Sequence, residues 1–293
     1  MKILVIIVTY NAMQWAERCF NSLRSSSVKP DVFVVDNGST DGTQAYIHEH
    51  YPEVMFQQSD INLGFGKANN IGLQYAIDNN YDYVYLLNQD AWVFDDTLEL
   101  LVKVMAENPD YGVLSPLQYQ GNGLYLDEMF LKCLPRDGIL SDSLRRIQNN
   151  PYEIGMVMAA HWMISRECLL KVGGFSTTFP HYGEDVNYKD RLNYWKYKIG
   201  VVPGAKAIHD REGRQVSREK LMYQYYMSEL VYLSDPSEKR KPWIFNYMKN
   251  AIYFFRTYHT LSYCKYFVQI LKMYSLIRKN KAFSKKESAF LNI

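Results

Sequence analysis

Acidic side chains and one histidine fall where the sequence predicts secondary-structure elements to end or begin. Asp36 and Asp90 each follow an apolar, strand-like run, and a glycine-rich turn comes after Asp36. Glu184 and Asp185 open a predicted helix, and His209 ends a late predicted strand. Carboxylate oxygens with one imidazole suit Mg²⁺ or Mn²⁺ better than zinc, and such an ion can hold a diphosphate. These residue types therefore predict a divalent-cation site for a diphosphate-containing ligand.

Two other kinds of phosphate-binding sequence are missing from the chain. No GxGxxG pattern follows the first predicted strand, and no GxxxxGK[ST] pattern occurs. Gly64-Phe65-Gly66 is a GxG sequence, but it follows the third predicted strand and lacks a third glycine. A nicotinamide-dependent dehydrogenase and a P-loop nucleotide hydrolase are therefore both disfavoured.

The elements that must position these side chains alternate between strand and helix in the first half of the chain. Apolar β-branched runs indicate buried strands, and apolar residues at three- and four-residue spacing indicate helices. Asn11 is placed to cap the first helix. Such alternation predicts an α/β fold with a doubly wound, mostly parallel sheet. The predicted strands are residues 2–8, 31–35, 53–57 and 83–87, and the predicted helices include 43–49, 67–77 and 97–107.

Polar loops follow three of these predicted strands. They comprise residues 9–11, 36–39 and 88–90. Ligands of such sheets bind beyond the carboxyl ends of the strands. Topology alone therefore predicts that the three loops converge at one rim of the sheet.

The second half of the chain is less regular. Residues 121–151 mix Gly, Pro and both charges with little periodicity, and we interpret them as an insertion or long loop over the site. Ser217 is placed to cap a helix that reaches residue 233. Strands are predicted within residues 154–164, 199–202 and 207–209, and helices at 166–172 and 184–195.

The charge of the chain is divided unevenly. Of its 293 residues, 47% are apolar and 22% are charged, which is typical of a globular protein. Residues 237–293 carry 12 Lys and Arg residues against two acidic ones, whereas residues 1–236 carry 21 against 29. An acidic body disfavours nucleic acid as a partner. We therefore predict one domain over residues 1–236 and a basic, aromatic, helical tail over residues 237–293.

Basic residues seven apart place positive charge along one helical face of the tail. Lys249 and Arg256 form one pair, and Lys265, Lys272 and Lys279 form a second series. Large apolar residues lie between them, so one interpretation is an amphipathic helix pair on an anionic membrane surface. The alternatives are a helical cap packed on the first domain with a solvated basic face, or a dimer contact.

Cysteine usage and the lack of targeting signals predict a cytoplasmic protein. The four cysteines are scattered without a CxxC pair, as is usual for thiols in a reducing compartment. The first apolar run has no cleavage site of a signal peptide, and no apolar stretch approaches the ~20 residues of a membrane-spanning helix. If the tail binds lipid, we expect the protein at the cytoplasmic face of the membrane.

Six short motifs occur together in one order along residues 1–215. Their combination resembles the inverting family-2 glycosyltransferases of the GT-A fold. The resemblance implies a sheet of the nucleotide-diphospho-sugar transferase type, followed by a C-terminal helical extension. The motifs are VIIVTYN at 5–11, VVDNGSTDGT at 34–43, NLGFGKANNIG at 62–72, LLNQD at 86–90, VGGF at 172–175 and GEDV at 183–186.

The resemblance implies which residues bind the donor and the metal. Asp36 is expected to read the pyrimidine base of a nucleotide-sugar donor, and Asp90 and His209 to hold Mg²⁺ or Mn²⁺. Asn88 departs from the family, because an acid is usual at the first position of its metal-binding motif. Members with Asn there often transfer rhamnose or galactofuranose, which favours dTDP-rhamnose or a UDP-sugar. The implied donor-binding residues are Thr9, Tyr10, Asn11, Asp36, Asn37, Ser39, Asn62, Gly64, Lys67, Asn70, Asn88, Gln89 and Asp90.

The resemblance also implies the catalytic base. Asp185 is expected to take the proton of an acceptor hydroxyl in a single displacement, with Glu184 as the alternative base. His161 and Trp162 are expected on the acceptor side, where an indole can stack on a sugar.

A second departure concerns a phosphate contact. An Arg-Asn pair after two tyrosines is common in rhamnosyl-transferring members, but here Tyr225-Tyr226 is followed by Met227-Ser228. Arg211 or Arg214 are candidates to replace that contact.

The function implied by the resemblance is sugar transfer to a glycan or lipid-linked acceptor in cell-surface polysaccharide synthesis. A non-catalytic, nucleotide-binding scaffold on the same fold is an alternative, because Asn88 and the missing Arg-Asn pair weaken the family pattern. A nucleotidyltransferase is less favoured, since residues 9–11 are not the glycine-rich loop it would need.

Overall fold

One mixed β-sheet forms the centre of the molecule. The computed structural model describes residues 1–134, 150–211, 217–237 and 242–291. Within these ranges the sheet has the strand order β3-β2-β1-β4-β8-β6-β9-β5, with β7 paired to β9. The strands are β1 (Ile3–Thr9), β2 (Asp31–Asp36), β3 (Met55–Gln58), β4 (Tyr83–Asn88), β5 (Ala91–Val93), β6 (Tyr111–Tyr119), β7 (Tyr152–Glu153), β8 (His161–Ser165) and β9 (Lys198–His209).

The first four strands confirm the parallel, doubly wound prediction. β1 pairs in parallel with both β2 and β4, and β2 pairs in parallel with β3. β1 is buried along nearly its whole length because helices cover both faces of the sheet, which explains its unbroken apolar run. The predicted bounds of these strands agree with the structure within two residues.

The second half of the sheet departs from the predicted pattern. β8 lies between β4 and β6 and is antiparallel to both. β6 was not indicated by the sequence, yet it pairs in parallel with β9 over most of its length. β9 is one strand where two were predicted, because Pro203, Gly204 and Ala205 bulge out without breaking its pairing to β6.

Ten helices are found in the described ranges, and those of the first half lie close to their predicted positions. They are α1 (Ala16–Ser25), α2 (Thr43–His50), α3 (Phe65–Asp78), α4 (Thr97–Glu107), α5 (Glu128–Leu131), α6 (Arg166–Val172), α7 (Glu184–Tyr194), α8 (Arg218–Ser234), α9 (Trp243–Tyr258) and α10 (Lys265–Phe283). Ser217 caps α8 as predicted, since its side chain accepts a hydrogen bond from the Lys220 N–H. Asn11 does not cap α1, which begins at Ala16 and has no side-chain cap.

The tail helices α9 and α10 pack on α8. Ring pairs bind the three helices together, including Tyr226 with Tyr266 at 4.5 Å and Tyr225 with Phe254 at 5.2 Å between centroids. Phe179, in the segment before α7, belongs to the same apolar cluster. No helix in the part of the chain that the structure describes is long and apolar enough to cross a bilayer.

Beyond α10 the chain returns to the central core. Leu291 joins the apolar cluster on one face of the sheet, and the Gly174 N–H donates to the Ala289 carbonyl at 2.8 Å. The Arg191 guanidinium of α7 lies over the Phe290 ring, 4.8 Å from its centroid. The end of the described chain is therefore packed against the helix that begins with Glu184 and Asp185.

Candidate functional site

Asp36 organises the loop that follows β2. Its Oδ1 accepts hydrogen bonds from the hydroxyls of Thr9 (2.7 Å) and Ser39 (2.5 Å). Its Oδ2 accepts from the N–H groups of Gly38 and Ser39 and from the Gln44 amide. Burial acts to raise the pKa of this carboxyl, but the bonds from Ser39, Thr9 and Gln44 outweigh it and leave the pKa lowered. Asp36 has no exposed surface, and its carboxylate shapes the loop, while the implied contact with a donor base stays a prediction.

The loops after β1, β2 and β4 are tied together at the predicted rim. The Gln89 amide clamps the backbone of Tyr10, accepting from its N–H at 2.6 Å and donating to its carbonyl at 3.1 Å. The Asn11 N–H donates to the Ser39 hydroxyl, and the Asn11 side chain accepts from the Thr40 N–H. Gln89 and Asn11 therefore act as structural ties, whereas the ring of Tyr10 is 48% exposed and accessible to a ligand.

The loop before α3 gives the predicted donor residues different environments. Gly64 has φ of +81°, and a Cβ there would overlap the Pro180 carbonyl oxygen, so only glycine fits. Asn62 is exposed and accepts from the Gly64 N–H at 2.9 Å, and the Lys67 side chain is also exposed. Asn37 is buried, and its side-chain oxygen accepts a hydrogen bond from the Leu63 N–H at 3.3 Å.

Asn70 has a structural role in this fold, and its implied contact with the donor stays a prediction. Its side chain accepts from the Phe175 N–H at 2.6 Å and donates to the Phe175 carbonyl at 2.9 Å and the Phe290 carbonyl at 3.3 Å. These bonds tie α3 to the segment before α7 and to the end of the described chain.

Asp90 and His209 meet at the end of the sheet. β5 and β9 are antiparallel there, and the Asp210 N–H donates to the Asp90 carbonyl at 2.8 Å. Asp90 Oδ1 and His209 Nε2 lie 3.6 Å apart, although 119 residues separate them in sequence, and both side chains are buried. Asn88, at the end of β4 and shortly before Asp90 in sequence, is partly exposed.

This pair fits a divalent ion whose remaining ligands are oxygens of a diphosphate or water. One carboxylate and one imidazole are donors suited to Mn²⁺ or Mg²⁺, and both ions keep several positions for substrate oxygens or water. No group of three or more His, Cys, Asp and Glu side chains among the described residues is arranged to hold a metal by itself. The chemistry of the donor set therefore suits an ion completed by the substrate.

Arg211 connects this pair with the acidic side chains on the other side of the site. Its Nη2 lies 3.0 Å from His209 Nδ1, and its Nε lies 3.0 Å from Asp127 Oδ2. Asp127 also caps α5 by accepting from the Phe130 N–H at 2.7 Å. Arg211 was one of two predicted candidates for a phosphate contact, and Arg214 lies outside the described residues. Asp127 was missed, because a capping acid within residues 121–151 gave no signal of a site.

Glu184 and Asp185 begin α7 but have different surroundings. Glu184 is buried, and its Oε2 has no hydrogen-bond partner among the described residues. Burial, followed by the charge of Asp185, raises the pKa of Glu184 to about 8. Asp185 is partly exposed and accepts from the Val186 N–H at 2.8 Å. Burial raises the pKa of Asp185, while the Val186 N–H and the charge of Arg211 oppose that rise. The geometry favours Asp185 over Glu184 as a base accessible to an acceptor.

His161 and Trp162 are corrected from acceptor residues to core residues. Both are fully buried because β8 lies inside the sheet, where neither face is exposed. His161 lies between the Tyr85 hydroxyl (2.7 Å) and the Ile208 carbonyl (2.9 Å), and burial lowers the pKa of His161 to about 3. Trp162 stacks on Phe175, with 6.1 Å between ring centroids.

Comparisons with known proteins match this architecture. A family model described as glycosyl transferase family 2 matches residues 4–173. The N-acetylglucosaminyl-diphospho-decaprenol L-rhamnosyltransferase of Mycobacterium tuberculosis is 26% identical over 257 residues, which cover 79% of this chain and 83% of that protein. The low-salt glycan biosynthesis hexosyltransferase Agl10 of Haloferax volcanii is 24% identical over 226 residues, covering 76% and 71%.

Two solved structures share the fold. GalNAc-T7 with UDP, GalNAc and Mn²⁺ matches with a TM-score of 0.58 and 16% identity, over 94% of this chain and 57% of that one. S. aureus TarS 1–349 in complex with UDP-GlcNAc matches with a TM-score of 0.55 and 19% identity, over 88% and 73%. These likenesses confirm the predicted fold class of a mixed α/β protein with a helical C-terminal region.

Proposed function

The chain belongs to glycosyl transferase family 2, and on that premise we propose that it transfers a sugar, with inversion, from a nucleotide-diphosphate donor to a glycan or lipid-linked acceptor. Its homologues include enzymes of cell-surface glycan synthesis. The observation that carries the proposal is the approach of Asp90 to His209 at 3.6 Å, with Arg211 3.0 Å from His209 and near enough for its charge to oppose the rise that burial causes in the pKa of Asp185. These groups support a site that combines diphosphate binding with a general base.

In this proposal Asp90 and His209 hold Mg²⁺ or Mn²⁺. When bound, the ion supplies positive charge for the departing diphosphate. Arg211 adds a fixed cation beside the pair and is itself held by Asp127. The exposed ring of Tyr10 is available to stack on the donor base, with Asn62 and Lys67 on the neighbouring loop.

Asp185 acts as general base in the proposed reaction. It takes the proton of the acceptor hydroxyl as that oxygen forms a bond to the anomeric carbon, and the bond from this carbon to the diphosphate breaks in the same step. The diphosphate is a good leaving group, so no second carboxylate is needed to protonate it. The protonated Glu184 beneath Asp185 adds no negative charge that would compete with its role.

The donor is proposed to be dTDP-rhamnose or a UDP-sugar. Support comes from Asn88 and from the name of the mycobacterial relative. We place the reaction in the cytoplasm, since the four cysteines, one of them exposed, are unpaired thiols.

Replacing Asp185 with Asn tests the proposal. We expect transfer from dTDP-rhamnose or a UDP-sugar to a polyprenyl-diphosphate N-acetylglucosamine acceptor to fall by roughly 10²–10⁴-fold, as for loss of a general base. Stabilisation of the variant by UDP or dTDP with Mn²⁺ in a thermal shift assay should match that of the wild type.

The matched control is Asp95→Asn, an exposed acid before α4, which should change neither quantity. Undiminished transfer by Asp185→Asn would show that Asp185 is not the base. A wild type that is stabilised by nucleotide but transfers no sugar would favour the non-catalytic, nucleotide-binding scaffold, and absence of any nucleotide-induced shift would contradict both proposals.

A further inference from the structure

Helix α9 carries large apolar side chains on two opposite faces. One face, which includes Phe254, is buried against α8. Phe245, Met248, Ile252 and Phe255 are spaced by three or four residues on the other face, and each is between 46% and 67% exposed. Four large apolar side chains aligned on a solvent-facing helix are typical of an interaction surface.

Basic side chains border this stripe. Lys249 and Arg256 follow Met248 and Phe255 in sequence, so helical geometry places both along one edge of the stripe. Both are exposed, and neither lies within 4 Å of an acidic side chain among the described residues. Helix α10 repeats the arrangement, with exposed Val268 and Leu271 and a row of basic residues that includes Lys272.

The positive charge of this face favours an anionic bilayer over a second copy of the chain as its partner. A second copy docked through the same face would add a second row of cations and no anions, because α9 contains no acidic residue. An anionic bilayer supplies both complements at once, since phosphate headgroups pair with lysine and arginine and the acyl region accepts the apolar stripe.

We propose that the outer face of α9 is a docking surface for an anionic lipid bilayer. The stripe Phe245, Met248, Ile252 and Phe255 enters the boundary between headgroups and acyl chains, and Lys249 and Arg256 bind the headgroups. The use of this surface to reach a lipid-linked acceptor rests on the proposed function, but the docking itself does not.

One cluster of apolar side chains connects α9 with the start of α7. Phe254 of α9 and Phe179 share the apolar cluster formed on α8. Phe179 lies in the segment before α7, and a Cβ on Gly183 would meet its ring at 3.1 Å. Packing contacts therefore connect α9 with Gly183, the residue immediately before Glu184.

Co-sedimentation of the full chain with lipid vesicles tests the proposal. We expect binding to vesicles that contain phosphatidylglycerol and little binding to pure phosphatidylcholine. The double variant Lys249→Gln/Arg256→Gln should bind the anionic vesicles roughly 10- to 30-fold more weakly, since each basic residue near the surface contributes about 1 kcal/mol. The double variant Phe245→Ser/Phe255→Ser should lose sedimentation.

Matched controls remove exposed side chains of the same kinds elsewhere. Ile61→Ser/Leu124→Ser removes two exposed apolar groups and Lys103→Gln/Lys196→Gln removes two exposed charges, and both should sediment like the wild type. The α9 variants alter only exposed side chains, so they should keep the wild-type melting temperature.

Equal sedimentation of the wild type and the Phe245→Ser/Phe255→Ser variant would overturn the proposal. If the wild type does not bind anionic vesicles but forms a dimer, and the Phe245→Ser/Phe255→Ser variant is a monomer, then the face is a dimer interface instead. Thermal shift with UDP or dTDP reports on the transferase site separately, so failure of docking and failure of the proposed function give different results.

Discussion

The two acids that begin α7 show how surroundings divide roles between neighbouring residues. The charge of Arg211 acts on Asp185, and Asp185 has solvent-accessible surface, which keeps it available to a substrate. Glu184 is enclosed, and its carboxyl has an oxygen without a hydrogen-bond partner among the described residues. A neutral acid is easier to bury than a carboxylate, so Glu184 is the structural member of the pair.

Replacing Glu184 with Gln should change how the stability of the protein depends on pH. The native state keeps the Glu184 proton up to a pKa of about 8, whereas the unfolded chain releases it at its ordinary, lower pKa. The stabilisation is therefore complete below the unfolded pKa and is lost as pH rises towards 8. Between pH 5 and 8 the wild type should lose on the order of 3 kcal/mol of unfolding free energy through this group.

The measurement is thermal or urea unfolding of both proteins at pH 5 and pH 8. The Gln variant should show a smaller loss of stability between the two pH values. Glu107→Gln, an exposed acid at the end of α4, serves as the control and should follow the wild type. Identical pH dependence of wild type and Glu184→Gln would contradict the prediction.

Sequence alone identified the types and the approximate position of the site residues but not their accessibility. Asp90, Asp185 and His209 follow from motif and strand ends, and the side chains of Asp90 and His209 lie 3.6 Å apart in the structure. Asp36 and Trp162 were assigned to ligands, yet both are buried. Burial of these two depends on residues distant in sequence, namely Thr9 for the first and the strands flanking β8 for the second.

At the scale of elements, the turn after α6 joins distant parts of the chain. Gly173 ends α6 with φ of +86° and ψ of −158°, a backbone conformation that is almost confined to glycine. The carbonyls of Val172 and Gly174 accept from the buried Arg191 guanidinium of α7. A Cβ on Gly173 would overlap the backbone of Ala289.

Replacing Gly173 with Ala should therefore destabilise the protein for two reasons. The positive φ costs about 1–3 kcal/mol for an L-residue with a Cβ. Displacement of the segment at Ala289 should add roughly 1–3 kcal/mol, as for other overpacking substitutions. Urea unfolding monitored by circular dichroism measures the sum.

Gly42→Ala is the matched control for the backbone contribution. Gly42 has φ of +92° but open space where a Cβ would lie. It should show the first cost alone, so equal destabilisation by the two substitutions would mean that the contact with Ala289 adds nothing to stability.

Elements with one clear period were predictable, and elements defined by long-range pairing were not. The helices Thr43–His50, Phe65–Asp78 and Thr97–Glu107 lie within two residues of their predicted bounds. β6 escaped prediction because it contains Pro116 and two buried polar residues, Ser115 and Gln118, and so lacks an apolar run. Its pairing with β9 and β8, rather than its own composition, makes it a strand.

At the scale of the whole molecule, the tail completes the packing of the preceding residues. Met222, Tyr226, Leu230 and Val231 of α8 are buried in the cluster that α9 and α10 complete. Burial of one large apolar side chain contributes about 1.5–3 kcal/mol. Four of them represent on the order of 6–12 kcal/mol, which is comparable with the total stability of an ordinary domain.

A chain of residues 1–236 should therefore fail to fold as a stable monomer. We expect aggregation or a broad, non-cooperative thermal transition, together with increased binding of a hydrophobic dye. Size-exclusion chromatography and thermal unfolding measure these properties. Full-length Phe245→Ser/Phe255→Ser is the control, because it alters the tail only at exposed side chains and should melt cooperatively. A monodisperse, cooperatively melting 1–236 fragment would establish the predicted domain boundary.

The return of the chain to Asn70 sets an order of events during biosynthesis. The Asn70 amide donates to the Phe290 carbonyl across 220 residues. At translation rates of 5–20 residues per second, roughly 10–40 s pass between the synthesis of these partners. Throughout that interval the nascent polypeptide exposes the surfaces around α3 and α6 that Phe290 and Leu291 later cover. Packing of this region is therefore complete only after residue 291 has left the ribosomal tunnel.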